Sequence, residues 1–101
     1  MSRIDDALTV LTGLLGAATA DLPEPLTIEK EGEPRANRGL LTQDVAVSYP
    51  SDDGDVARTF SRAVHGALRD DPTMGGVCER TVLDPLQIAE GRAWSYVRIV
   101  V

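Results

Sequence analysis

The side chains that could do chemistry are few. Cys78 and His65 are the only cysteine and histidine in 101 residues. A nucleophile and its base must come within hydrogen-bond reach, but His65 falls on the polar side of a helical pattern and Cys78 in a strand-like run, so the two are not expected to meet. Nor do they make up the four ligands of a structural zinc site. Asp52, Asp53 and Asp55 do not show the spacing of a calcium loop and lack the later bidentate acid that closes one. Asp5-Asp6 and Asp70-Asp71 are sequence neighbours, and adjacent helical residues point about 100° apart, so neither pair is a shared-proton dyad. Gly75-Gly76 has no Lys-Ser or Lys-Thr after it and acids before it, the reverse of a phosphate loop. These residues supply no catalytic constellation, no metal-ligand set and no cofactor site, and the chain reads as a non-enzyme.

The composition narrows the classes further. Ten basic against 16 acidic side chains leave a net charge of −6, and no run of Lys or Arg forms the stripe a nucleic-acid binder needs to replace counterions around phosphates, which disfavours DNA binding and leaves no sequence-specific nucleic-acid partner expected. The apolar fraction is an ordinary 43%, but aromatics are only 4%, so Trp94, Tyr96, Tyr49 and Phe60 are a large share of the bulky anchors. A lone cysteine excludes an internal disulfide and points to intracellular synthesis. The apolar run near Val10–Ala20 is too short to span a bilayer, and acids stand where a signal peptide would be basic. The length predicts a single domain over 1–101, small enough that its stability draws on neighbours.

The elements that would position these residues follow from periodicity. Ile4, Leu8, Leu11, Leu15 and Ala18 form an apolar stripe at helical spacing, with Ser2 and Asp5 as a short capping pattern at its start. Gly13 and Gly16 weaken that helix or admit another backbone close to it. Pro23 and Pro25 end it, and Leu26–Lys30 reads as a short strand. Glu31–Leu41, with Gly32, Pro34, Arg38 and Gly39, has no apolar period and reads as the longest loop, carrying Arg35 and Arg38. Gln43–Tyr49 alternates as a strand covered on one side. After a turn at Pro50–Gly54, Val56, Phe60, Ala63, Val64, Ala67 and Leu68 mark a second helix, with Arg58, Ser61, Arg62, His65 and Arg69 outward. Val77–Leu83 alternates again, Asp84-Pro85 interrupts it, and Leu86–Ala89 continues it. Glu90-Gly91 turns into Arg92–Val101, whose alternation puts Trp94, Tyr96, Arg98 and Val100 on one face. The order α-β-β-α-β-β predicts an α+β fold: a mainly antiparallel four-stranded sheet with two helices packed on one face.

One segment is sharper than its surroundings. In Leu68-Arg69-Asp70-Asp71-Pro72-Thr73-Met74-Gly75-Gly76-Val77 a helix must stop and a strand must begin. Asp71 can cap a turn begun by Pro72, Met74 is the one apolar residue available to fold back on the core, and Gly75 and Gly76 permit positive φ. This corner, from Asp71, Pro72 and Thr73 through Gly76, resembles that of tail terminator (tail completion, head-tail joining) proteins of long-tailed phages, whose wording after the second helix is Asp-Pro-Thr-Leu-Gly-Gly-Val-like; Met74 stands for the leucine. The N-terminal helix, element order, length and closing strand Trp94–Val101 are similar too, so the resemblance covers most of the chain.

The resemblance implies a structural virion protein of the tail or neck, made in the host cytoplasm. Six copies would form a ring that caps the head-proximal end of the tail tube, ends its polymerisation and helps join tail to head. The implied partners are other copies of the chain, the tail-tube protein and a head-closure or connector protein, with DNA able to pass through the ring. A ring needs two different patches per subunit. The candidates for them are Trp94, Tyr96 and Arg98 on the last strand and Arg35 and Arg38 in the Glu31–Leu41 segment, the latter toward tube, connector or lumen. For Trp94 and Tyr96 the alternative is ordinary packing beneath the helices. A head-closure or adaptor subunit, or a small cellular ligand-binding α+β module, are the other functions this sequence fits.

Overall fold

The computed structural model describes residues 3–101; Ser2, half of the expected capping pattern, lies outside them. The elements are α1 (Arg3–Ala18), β1 (Thr27–Asn37), β2 (Leu40–Tyr49), α2 (Gly54–Asp70), β3 (Arg80–Leu83), β4 (Gln87–Ala89) and β5 (Arg92–Val100). The expected order α-β-β-α-β-β is found, with the penultimate strand divided at Asp84-Pro85-Leu86 into β3 and β4. All pairings are antiparallel: β1 on β2, β2 on β5, and both β3 and β4 on the far side of β5.

Both helices cover the same face of this sheet. Ile4, Ala7, Leu11 and Leu15 of α1 and Ala57, Phe60, Val64 and Leu68 of α2 pack with Val45, Val47 and Tyr49 of β2 and Ala93, Val97 and Ile99 of β5. The cross-strand pairs Val45↔Val97 and Tyr49↔Ala93 place these residues on one side, because directly opposed residues share a face. Tyr49 stacks on Phe60 with ring centroids 5.7 Å apart, and its hydroxyl accepts from the Glu24 amide at 3.0 Å, which ties the Pro23–Pro25 segment to the core. Two details differ from the periodicity. Ala18 is exposed and Thr19 is buried in its place, its hydroxyl donating to the Leu15 carbonyl at 2.8 Å. His65 is half-buried rather than turned to solvent, and its Nε2 has no hydrogen-bond partner among the described residues.

Glu31–Leu41 is not a loop. It is the distal half of a long hairpin, closed by a two-residue turn in which Arg38 and Gly39 both have positive φ, 53° and 81°. That geometry matches the right-handed twist of the strands it joins. The register shifts between Glu31 and Arg35, so Gly32, Glu33 and Pro34 are absorbed as a bulge, with Gly32 at φ 71°. Gln43, fully buried, donates through Nε2 to the Gly32 carbonyl at 3.1 Å and to the Asp44 carbonyl at 2.8 Å, holding the bulge from below. β1 is an edge strand, which is why a proline and an almost unbroken row of charges are compatible with it.

Asp71, Met74 and the glycines of the helix-to-strand corner take the roles their types suggested, but the strand expected from Val77 begins only at Arg80, and Val77-Cys78-Glu79 still belongs to the turn. The Asp71 carboxylate accepts from the Gly75 amide at 2.9 Å, and the Asp71 carbonyl from the Met74 amide at 3.0 Å. Met74 is 1% exposed and packs in the core. Met74, Gly75 and Gly76 run at φ 50°, 74° and 94°. At the other end of α2, Asp53 accepts from the Asp55 and Val56 amides and caps the helix.

Candidate functional site

The register defines what lies on the face away from the helices. Trp94 opposes Ser48, Tyr96 opposes Ala46, Arg98 opposes Asp44 and Val100 opposes Thr42; on the flanks, Thr27, Glu29, Glu31 and Arg35 of β1 and Arg80 and Val82 of β3 continue the same rows. Among the described residues no helix or second sheet covers this side. Long side chains on β5 lie over short ones on β2 instead, so that Ala46, Ser48 and Val100 are buried with no backbone layer above them.

Trp94 and Tyr96 therefore do not pack beneath the helices. Both are half-buried on the open face, stacked with centroids 6.0 Å apart and planes within 6°. The indole N–H donates to the Ala89 carbonyl at 3.0 Å, pinning β4 against β5. Beside them Arg92 donates to the Ser48 hydroxyl from Nε and Nη2, at 3.1 and 3.0 Å, and to the Thr27 hydroxyl at 3.3 Å.

At the opposite end of β5 the structure brings Arg35 and Arg98 together on one carboxylate. Asp44 Oδ2 accepts from Arg35 Nη1 at 2.8 Å and Oδ1 from Arg98 Nε at 2.9 Å. The Arg35 guanidinium, and then that of Arg98, hold the Asp44 carboxyl below its ordinary range, against a smaller opposing effect of burial; the same contact raises Arg35. Arg38 is not part of this group: it occupies the exposed hairpin tip. Of the five contact residues named from the sequence, four thus share the open face. Asp44, Arg80 and Arg92 were missed as partners. The alternation of their strands places them on the correct side, but only the antiparallel register shows which arginine meets which carboxylate.

Cys78 is buried at 5% exposure. Burial pushes its thiol up, the nearby Asp71 carboxylate adds to the shift, and Sγ points at the Pro72 carbonyl. No hydrogen bond joins it to His65 among the described residues. There too, no group of three or more His, Cys, Asp or Glu side chains is placed to hold a metal ion, and no helix is long and apolar enough to cross a membrane. A separate depression of about 420 Å³ lies beside the C-terminal end of α1, lined by Leu22, Pro23, Glu24, Pro25, Leu26 and Ile28 among others. No protein-family model matches the chain, and no curated protein or solved structure matches it significantly.

Proposed function

We propose that this chain is a structural assembly subunit of the tail-terminator kind, forming a ring, hexameric in this reading, that caps the head-proximal end of a phage tail tube, ends its polymerisation and helps join tail to head. The observation that carries the proposal is the uncovered sheet face. A domain with four aromatic residues places two of them, stacked, on a surface that no element among the described residues covers, flanked by Arg35, Arg80, Arg92 and Arg98. Trp, Tyr and Arg are the residues enriched where proteins meet. The corner from Asp71 to Gly76 adds support, since its residues take the backbone and packing roles that give the motif a physical reason to recur.

A small ligand-binding module is the second reading, and the depression beside α1 favours it by size, since ligand pockets run from about 300 to 1,000 Å³. Its polar groups do not converge, however. Thr12 and Thr19 already donate to helix carbonyls, at 2.8 Å each, which leaves Glu24 as the charged group of the lining. Light scattering on the purified chain, alone and mixed with a candidate tail-tube protein, tests the first reading. A six-fold mass, alone or only with the tube, supports it. A monomer or dimer indifferent to the tube overturns it.

A further inference from the structure

The open face is not uniform in charge. Where the β1–β2 hairpin narrows toward its turn, a depression of about 450 Å³ is lined by Arg35, Arg80 and Arg98 with Thr42, Val82 and Val100. Asp44 satisfies one donor of Arg35 and one of Arg98. Arg80 is exposed and makes no side-chain hydrogen bond or ion pair among the described residues. Three guanidinium groups thus face one carboxylate, on a chain whose overall charge is −6. Glu31 and Asp84 border the next depression along the face, with Tyr96, and limit the positive region to this end. Each guanidinium offers five N–H donors in a planar fork, so most donors here remain available, in the geometry that takes carboxylates two at a time.

An exposed acidic pair lies on the same chain but out of its own reach. Asp52 and Asp53 follow β2 on an exposed segment, and Asp52 has no hydrogen-bond or ion-pair partner among the described residues. β2 runs from the arginine end, at Thr42, to Tyr49 at the end where β5 begins. Seven residues of strand separate the two ends by roughly 23 Å, in a molecule 40 Å long. A subunit cannot join its own arginine depression to its own Asp52-Asp53 segment, but successive copies can.

Resting on the ring reading above, we infer that the depression lined by Arg35, Arg80 and Arg98 seats the Asp52-Asp53 segment of a second copy of this chain. The contact is head-to-tail, with two different patches per subunit, which is the type of interface that closes into a ring. Away from these patches the acidic surfaces repel one another, so charge selects the register of approach as well as its partner.

The test is the mass of the full chain by light scattering over a concentration series, at about 50 mM and about 500 mM salt, for the unaltered chain, Arg80→Glu, Asp52→Arg and the double variant. Neither side chain has a partner within the subunit among the described residues, so all four proteins fold and share one far-ultraviolet circular dichroism spectrum, while their thermal midpoints at high dilution stay close. Association falls at high salt, weakens at least roughly ten-fold in each single variant, a loss of about 1.4 kcal/mol, and returns in the double variant. Single variants that associate like the unaltered chain, or a double variant that does not recover, overturn the inference and leave the ring reading standing. A chain monomeric throughout, alone and with the tube protein, overturns both. Binding of a DNA duplex that is lost in Arg80→Glu, with self-association unchanged, makes the depression a phosphate site and overturns the second-copy assignment.

Discussion

Two glycine substitutions separate backbone effects from packing with unusual clarity. At Gly13, inside α1, and at Gly75, in the corner, an added Cβ would meet nothing within 4 Å. The sign of each change is therefore set by the backbone alone. Gly13 has helical geometry, where alanine is better by about 1 kcal/mol, so Gly13→Ala stabilises. Gly75 sits at φ 74°, where an L side chain costs about 1–2 kcal/mol, so Gly75→Ala destabilises. For a domain of this size each kcal/mol moves Tm by about 4–8 °C, which places the two variants on opposite sides of the parent and roughly 8 °C or more apart. Urea denaturation followed by the emission of Trp94, the single tryptophan, gives the free energies directly, with an unchanged m-value as the check that only the native state moved. A Gly75→Ala protein as stable as its parent would refute the left-handed corner. A destabilised Gly13→Ala would show that some other backbone packs against α1 at that point.

Met74→Ala should cost about 2–5 kcal/mol by opening a cavity in the core, while Met74→Leu costs under about 1.5 kcal/mol because the volume is conserved; chemical denaturation ranks them. Trp94→Phe keeps a ring over Tyr96 but loses the donor to Ala89, so it should cost about 1 kcal/mol and speed hydrogen exchange in the β4–β5 hairpin more than in α1. Asp44 is protonated less readily when folded than when unfolded, so its contribution to stability is present above its unfolded value of 3.8 and is lost as pH falls through the folded one. Asp44→Asn should accordingly lower Tm by a few degrees at neutral pH, since the two arginines are 53% and 50% exposed, with the difference closing at strongly acidic pH. The Cys78 thiol should resist alkylating reagents at pH 8 in the folded chain and react at once in denaturant.

What could be read from the sequence was set by how much burial each segment has. α1, α2, the corner and the β4–β5 hairpin carry strong apolar periods or a turn whose chemistry admits one backbone. The distal half of the β1–β2 hairpin could not be read in the same way. As an edge strand with a bulge, its run Glu31–Ala36 is exposed throughout, so it has no reason to alternate. The missed cue was Arg38-Gly39, which makes the same positive-φ turn as Glu90-Gly91; the latter was recognisable because alternating apolar residues follow it. The open face was half legible: alternation placed Trp94, Tyr96 and Arg98 together, but the meeting of Arg35 with Arg98 depends on a register that the bulge at Gly32 shifts. His65 differs because helical periodicity assigns a residue to a face and does not give its depth of burial.

The bulged margin of the sheet also bears on how far association can go. A straight, bare strand at a sheet margin recruits further strands without limit, and the end point is a fibre. Here the outer strand carries Lys30, Pro34 and a kink at Gly32, and the opposite margin is broken into segments of four and three residues. Neither margin offers a long regular ladder, so continuous ribbon growth is suppressed. Contacts between copies would then be made by side chains rather than by a continued backbone ladder.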